Sequence, residues 1–170
     1  MRAGLVKVLL AAGGSFFLFS CAPPGKPGLR PDMTEAQHDV AVGDFQGALD
    51  SYAAMADNYP GDRSVLKEFA RAVEQMKARA DGSFKEKDFA AAEKIYSLLL
   101  TNFPRFAGFE KSLSFGPGSL SRRVLECQEH LSERRARQSL AEGDYLSALD
   151  GFKGLPPEVL RSQAQSAGLR

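Results

Sequence analysis

Two cysteines and two histidines supply all the thiol and imidazole groups of this 170-residue chain. Cys127 and His130 stand three apart in a stretch with helical periodicity, a spacing that puts both on one helix face. A thiol beside an imidazole is the arrangement of a Cys/His nucleophile, or half of a metal site. The surroundings favour packing instead. Leu120, Val124, Cys127 and Leu131 form one apolar stripe, and free cysteine is among the most buried residue types. A zinc site takes three or four ligands, and the other histidine, His38, is far away in sequence. No phosphate-binding glycine loop, Ser-His-Asp order, paired-cysteine motif or nucleophile elbow occurs. A non-enzymatic chain is expected, with no catalytic residue, no metal and no cofactor.

Cys21 poses a different question. It ends an apolar run, VLLAAGGSFFLFSC, over residues 8–21, preceded by Arg2 and Lys7. The stretch from Val8 to Phe19 holds 12 residues, two glycines and a serine among them, short of the roughly 20 apolar residues that span a bilayer. A positive start, a short apolar core and a small residue before the cut fit a secretory signal. The ending Leu18-Phe19-Ser20-Cys21 resembles the lipobox of bacterial lipoproteins, with Phe19 bulkier than usual in that pattern. The resemblance implies a signal peptide at 1–20 and a lipidated Cys21 as the mature N-terminus. It also implies three acyl chains, and since each buried methylene contributes about 0.8 kcal/mol the anchor would be permanent. By the same resemblance, Ala22 directs the protein to the outer membrane, facing the periplasm, in preference to the inner membrane. Residues 22–31 hold four prolines and two glycines. The segment 21–31 is therefore expected to be an extended linker of about 3.1 Å per residue, holding the body roughly 30 Å off the bilayer.

Without Arg2 and Lys7 the basic count falls from 22 to 20 against 21 acidic residues, a net charge of −1. Such a chain has no electrostatic footprint for nucleic acid. With Cys21 committed to lipid, Cys127 has no disulfide partner, so packing alone must hold the fold.

The elements that would do so are legible as a repeat. Gly43-Asp44-Phe45, Lys87-Asp88-Phe89 and Gly143-Asp144-Tyr145 open three similar segments, each followed by an aligned alanine, Ala48, Ala92 and Ala148. The first two continue to Tyr59-Pro60 and Phe103-Pro104 at identical spacing. Each aspartate is placed to cap a helix N-terminus. Gly43 and Gly143 can end the preceding helix in a left-handed turn, and the prolines stop the following one. Phe45, Ala48, Leu49, Tyr52, Met55, Ala56 and Tyr59 keep the spacing of an apolar helical stripe. Upstream, Ala36, Ala80 and Ala136 occupy equivalent positions in weaker partner helices.

Gly43, Phe45, Ala48, Tyr52 and Pro60 match, in order and spacing, the second helix of the tetratricopeptide repeat, the family this chain resembles. The resemblance implies an all-α fold of degenerate antiparallel helical hairpins stacked in a short superhelix over residues 32–170. The repeats start 44 and then 56 residues apart, against 34 in that family. Long first helices are therefore expected at about 62–84 and 119–142, with an insertion near 105–118. Glu158 to Ala167, entered through Pro157, is expected to be a terminal capping helix.

The insertion carries Phe103, Phe106, Phe109 and Phe115, four phenylalanines in 13 residues. They form either a local mini-core closing the second hairpin or a partly exposed patch for protein contact; in the second case Phe106, Phe109 and Phe115 bind a partner. The basic run Arg134-Arg135-Ala136-Arg137 is interleaved with Glu126, Glu129, Glu133 and Glu142 and reads as a solvated helix face.

The resulting expectation is a membrane-anchored scaffold that docks a protein partner in the cell envelope through a groove lined by its first helices. Candidate groove residues are Lys67, Arg71, Gln75 and Arg79, with Arg135 and Gln138 as counterparts on the third unit. The resemblance to small tetratricopeptide lipoproteins implies service in outer-membrane protein, secretin or pilus, or cell-wall assembly. The other reading is a structural or peptidoglycan-associated lipoprotein without a dedicated protein partner. Neither reading involves nucleic acid or a small-molecule substrate.

Overall fold

The structure, a computed structural model, describes residues 31–153, 155 and 157. The expected signal peptide, Cys21, the linker as far as residue 30 and the capping segment Glu158–Ala167 lie outside the described residues. Pro31, placed in the linker from sequence, begins a helix, a position its fixed φ favours.

The described residues form six α-helices, two short 3-10 turns and no strand. These are α1 (Pro31–Val42), α2 (Phe45–Asn58), α3 (Arg63–Lys85), α4 (Phe89–Asn102), the 3-10 turns Phe103–Phe106 and Glu110–Ser112, α5 (Pro117–Ala141) and α6 (Tyr145–Lys153). Helices α1–α2, α3–α4 and α5–α6 pair as hairpins, and α4 packs along α5 to join the second pair to the third. The two long helices match their expected spans to within two residues.

The three hairpin turns share one construction. Asp44, Asp88 and Asp144 accept hydrogen bonds from the N–H of Gly47, Ala91 and Ser147 at 3.0–3.1 Å. Their own N–H groups reach back to the carbonyls of Asp39, Ser83 and Ser139, each at 2.9 Å. That six-to-one bond closes the first helix of each pair as a Schellman motif. One aspartate therefore ends one helix and starts the next. The residue before it must be left-handed, and Gly43, Lys87 and Gly143 have φ of 91°, 62° and 80°.

The aligned alanines are the contact points. Ala36, Ala80 and Ala136 on the first helices, and Ala48, Ala92 and Ala148 on the second, are all at most 2% exposed. A small side chain at each crossing lets two helix backbones come close. A Cβ built on Gly151 would lie 2.9 Å from that of Ala136, which shows how near α6 runs to α5.

The core is aromatic at its centre. Tyr52 stacks on Phe69 at 5.3 Å, and Phe69 meets Phe106 and Phe109 at 5.7 and 4.9 Å. The segment between α4 and α5 thus lies over the N-terminal half of α3. Two polar ties hold it there: Arg105 pairs with Asp50 of α2 at 2.6 Å, and the Ser114 hydroxyl donates to Glu74 of α3 at 2.8 Å. This settles the two readings of the phenylalanines. Phe103, Phe106, Phe109 and Phe115 are all at most 9% exposed, so the partner-binding role expected for Phe106, Phe109 and Phe115 is corrected to a core role. A rigid ring buried against Phe69 gains both area and edge contacts, and the α3 surface offered a place for it.

Candidate docking surface

Lys67, Arg71, Gln75 and Arg79 recur every four residues along α3, which keeps them on one side of the helix. All four are exposed. Lys67 and Arg71 stand as a ridge between two depressions. On one side a cleft of about 280 Å³ separates α1 from α3; Gln37, Val40, Glu68, Arg71 and Gln75 line it, with Tyr52 below. On the other lies a hollow of about 380 Å³ between α3 and the inserted segment, lined by Leu66, Lys67, Ala70, Arg71, Glu74, Phe109 and Ser112.

The α1–α3 cleft is braced by its own residues. Gln37 donates to Glu68 across it at 3.1 Å, and Arg71 lies 3.9 Å from the same carboxylate. Burial pushes the Tyr52 hydroxyl up to about 12, with the Glu68 charge adding to the effect. The phenol stays neutral and can only donate or accept hydrogen bonds. Arg79 departs from the ridge. Its guanidinium donates to the Ala41 carbonyl at 3.4 Å and lies 5.7 Å above the Phe45 ring, fastening α3 to the α1–α2 turn.

Arg135 and Gln138 are exposed on α5, but neither lines the depressions beside Lys67 and Arg71. Helix α5 packs along α4, and the segment between α4 and α5 packs on Phe69 and Glu74 of α3. Gln138 is engaged locally, donating to Glu142 at 2.8 Å.

Cys127 and His130 are brought near each other and employed separately. Cys127 is fully buried. Burial pushes its thiol up to about 11, and the carboxylates of Glu93 and Glu126 push the same way, opposite to what a nucleophile needs. His130 stacks on Phe89 at 4.2 Å with the rings 15° apart. Among the described residues no three of His, Cys, Asp and Glu are grouped to hold a metal ion, and no helix is long and apolar enough to cross a membrane.

Sequence reasoning missed two features. The first is a polar network between α3 and α4. The Tyr96 hydroxyl donates to Asp81 at 2.6 Å, and Lys77 donates to the other carboxylate oxygen at 2.7 Å. Burial works against the Asp81 charge, but these two bonds outweigh it and hold the carboxyl below its usual range. The Lys77–Asp81 pair, four apart on one helix, was visible in the sequence; the tyrosine that completes it was not. The second is a largely apolar groove of about 580 Å³ between the start of α2 and α4, lined by Phe45, Ile95, Leu98 and Thr101 among others. Its residues come from two helices that are not adjacent in sequence, and no periodicity marks such a junction.

Comparison with models of protein families, with curated proteins and with solved structures finds no match for this chain.

Proposed function

We propose that the chain is a non-enzymatic docking protein of the bacterial cell envelope, tethered by a lipid on Cys21 and built from degenerate tetratricopeptide-like hairpins. The observation that carries this is the α3 ridge, where Lys67, Arg71 and Gln75 stand exposed between two depressions on a body whose hairpin turns repeat one design. Stacked helical hairpins present extended surfaces of this kind to partners. The exposed basic ridge, with Glu68 and Glu74 in the depressions beside it, suits a protein partner in the periplasm. The lipobox resemblance and the Pro-rich linker support presentation from the outer membrane.

A photo-crosslinking amino acid placed at Gln75 in cells tests the docking reading. A single stoichiometric protein adduct, absent when the probe sits at Arg122, supports it; glycan-only adducts or none favour a structural, peptidoglycan-associated lipoprotein. The tether is tested separately. Cys21→Ala is expected to leave the membrane fraction, and the wild type to take up labelled palmitate. Membrane retention of the variant without palmitate uptake by the wild type would remove the anchor from the proposal.

A further inference from the structure

Three hairpin turns demand a left-handed residue, and two of them use glycine. The third uses Lys87, at φ 62° the one non-glycine residue with positive φ among those described. A lysine is strained in that conformation and glycine is not. Lys87 borders a pocket of about 390 Å³ shared with His130, Glu133, Arg134 and Arg137 of α5, floored by Phe89.

The pocket's two arginines are held in place. Arg134 donates to the Lys87 carbonyl at 3.2 Å and lies 5.9 Å from the Phe89 ring centre. His130 is stacked on that ring. Arg137 is braced by Glu133 at 2.6 Å, and Glu133 is the acidic side chain lining the pocket. Three permanent positive charges face one negative charge on a chain that is otherwise nearly balanced.

We infer that this pocket is a binding site for an acidic peptide segment, and that Lys87 replaces glycine because its ammonium takes part. The spread of the cations selects among anions. Arg134 and Arg137 come from α5 and Lys87 from the turn between α3 and α4, all lining one pocket. An extended chain of about 3.3 Å per residue can bring a separate carboxylate to each of them. The site is separate from the α3 ridge and does not depend on the docking role assigned there.

Lys87→Gly gives the test, because its two effects have opposite signs. In the full chain the variant is expected to raise Tm by about 2–4 °C, by removing left-handed strain. It is also expected to weaken binding of a labelled, end-blocked hexaglutamate peptide about two- to fivefold in fluorescence anisotropy at low salt. Arg134→Gln is expected to weaken it comparably, and 500 mM salt to abolish it. Four results would overturn the inference: no binding of hexaglutamate by the wild type, equal binding of hexaglutamine, unchanged affinity in Lys87→Gly, or inorganic phosphate binding as tightly as the peptide.

Discussion

Tyr96 reaches from α4 to the Asp81 carboxylate of α3, and that bond joins two helices through a charged acceptor. Replacing it with phenylalanine keeps the ring and removes the donor. Tyr96→Phe is expected to lower stability by about 1–2 kcal/mol at pH 7. The pH dependence follows from the depressed Asp81 carboxyl. Its contribution is present above the unfolded carboxylate value near 3.9 and is lost as pH falls through the folded value below it. In denaturant titrations of both proteins the deficit should therefore shrink as pH falls below the unfolded carboxylate value near 3.9 and Asp81 protonates; a deficit that stays constant through that protonation would mean that the bond to the charged carboxylate is not its source. Cys127 makes a simpler case. With its thiol buried and pushed up to about 11, it is expected to react with a thiol reagent at pH 8 at least about tenfold more slowly than free cysteine. Full reactivity should appear only in denaturant.

At the scale of elements, the close approach of α5 and α6 rests on Ala136 facing Gly151. Ala136→Leu drives a branched side chain into a gap sized for a methyl group. A loss of about 1–3 kcal/mol is expected, read as faster amide hydrogen exchange across α6 before α3 and α4 respond. The elements were legible in the sequence for a local reason. The Asp44, Asp88 and Asp144 caps depend on neighbours three residues away, and the alanine contacts on a helical period, so both are written in consecutive residues. What lay out of reach was the placement of one element on another. Four phenylalanines in a short segment mark something apolar to cover, but not which surface covers it. That Phe69 receives Phe106 and Phe109 depends on where the chain returns after α4. The same return leaves Arg71 and Gln75 exposed at the cleft beside α1, while Arg135 and Gln138 are exposed on α5. Lys87 aligned with Gly43 and Gly143 from the start. Only the observed left-handed backbone turned that alignment into a question about strain.

For the whole molecule, the core runs unbroken from Met33 to Cys127, while the outer face of α6 leaves Tyr145, Leu146 and Leu149 at 53–80% exposure. The hairpins are therefore unequal: the second is enclosed by helices on both sides and the inserted segment, and the third leans on α4 through α5. The turn design adds a rule about length. Because a single aspartate both closes one helix and opens the next, the hairpin turns contain no spare residue. Between α2 and α3 the stop and start are separate, with Pro60 and Gly61 exposed between the caps Tyr59 and Asp62. A four-residue insertion after Gly61 is expected to leave Tm within about 2 °C, whereas the same insertion between Gly43 and Asp44 should remove both caps at once and lower stability by about 2 kcal/mol or more. The chain can thus lengthen only between hairpins or within the long first helices. The uneven spacing of its repeats, 44 and then 56 residues, is what such a restriction leaves behind.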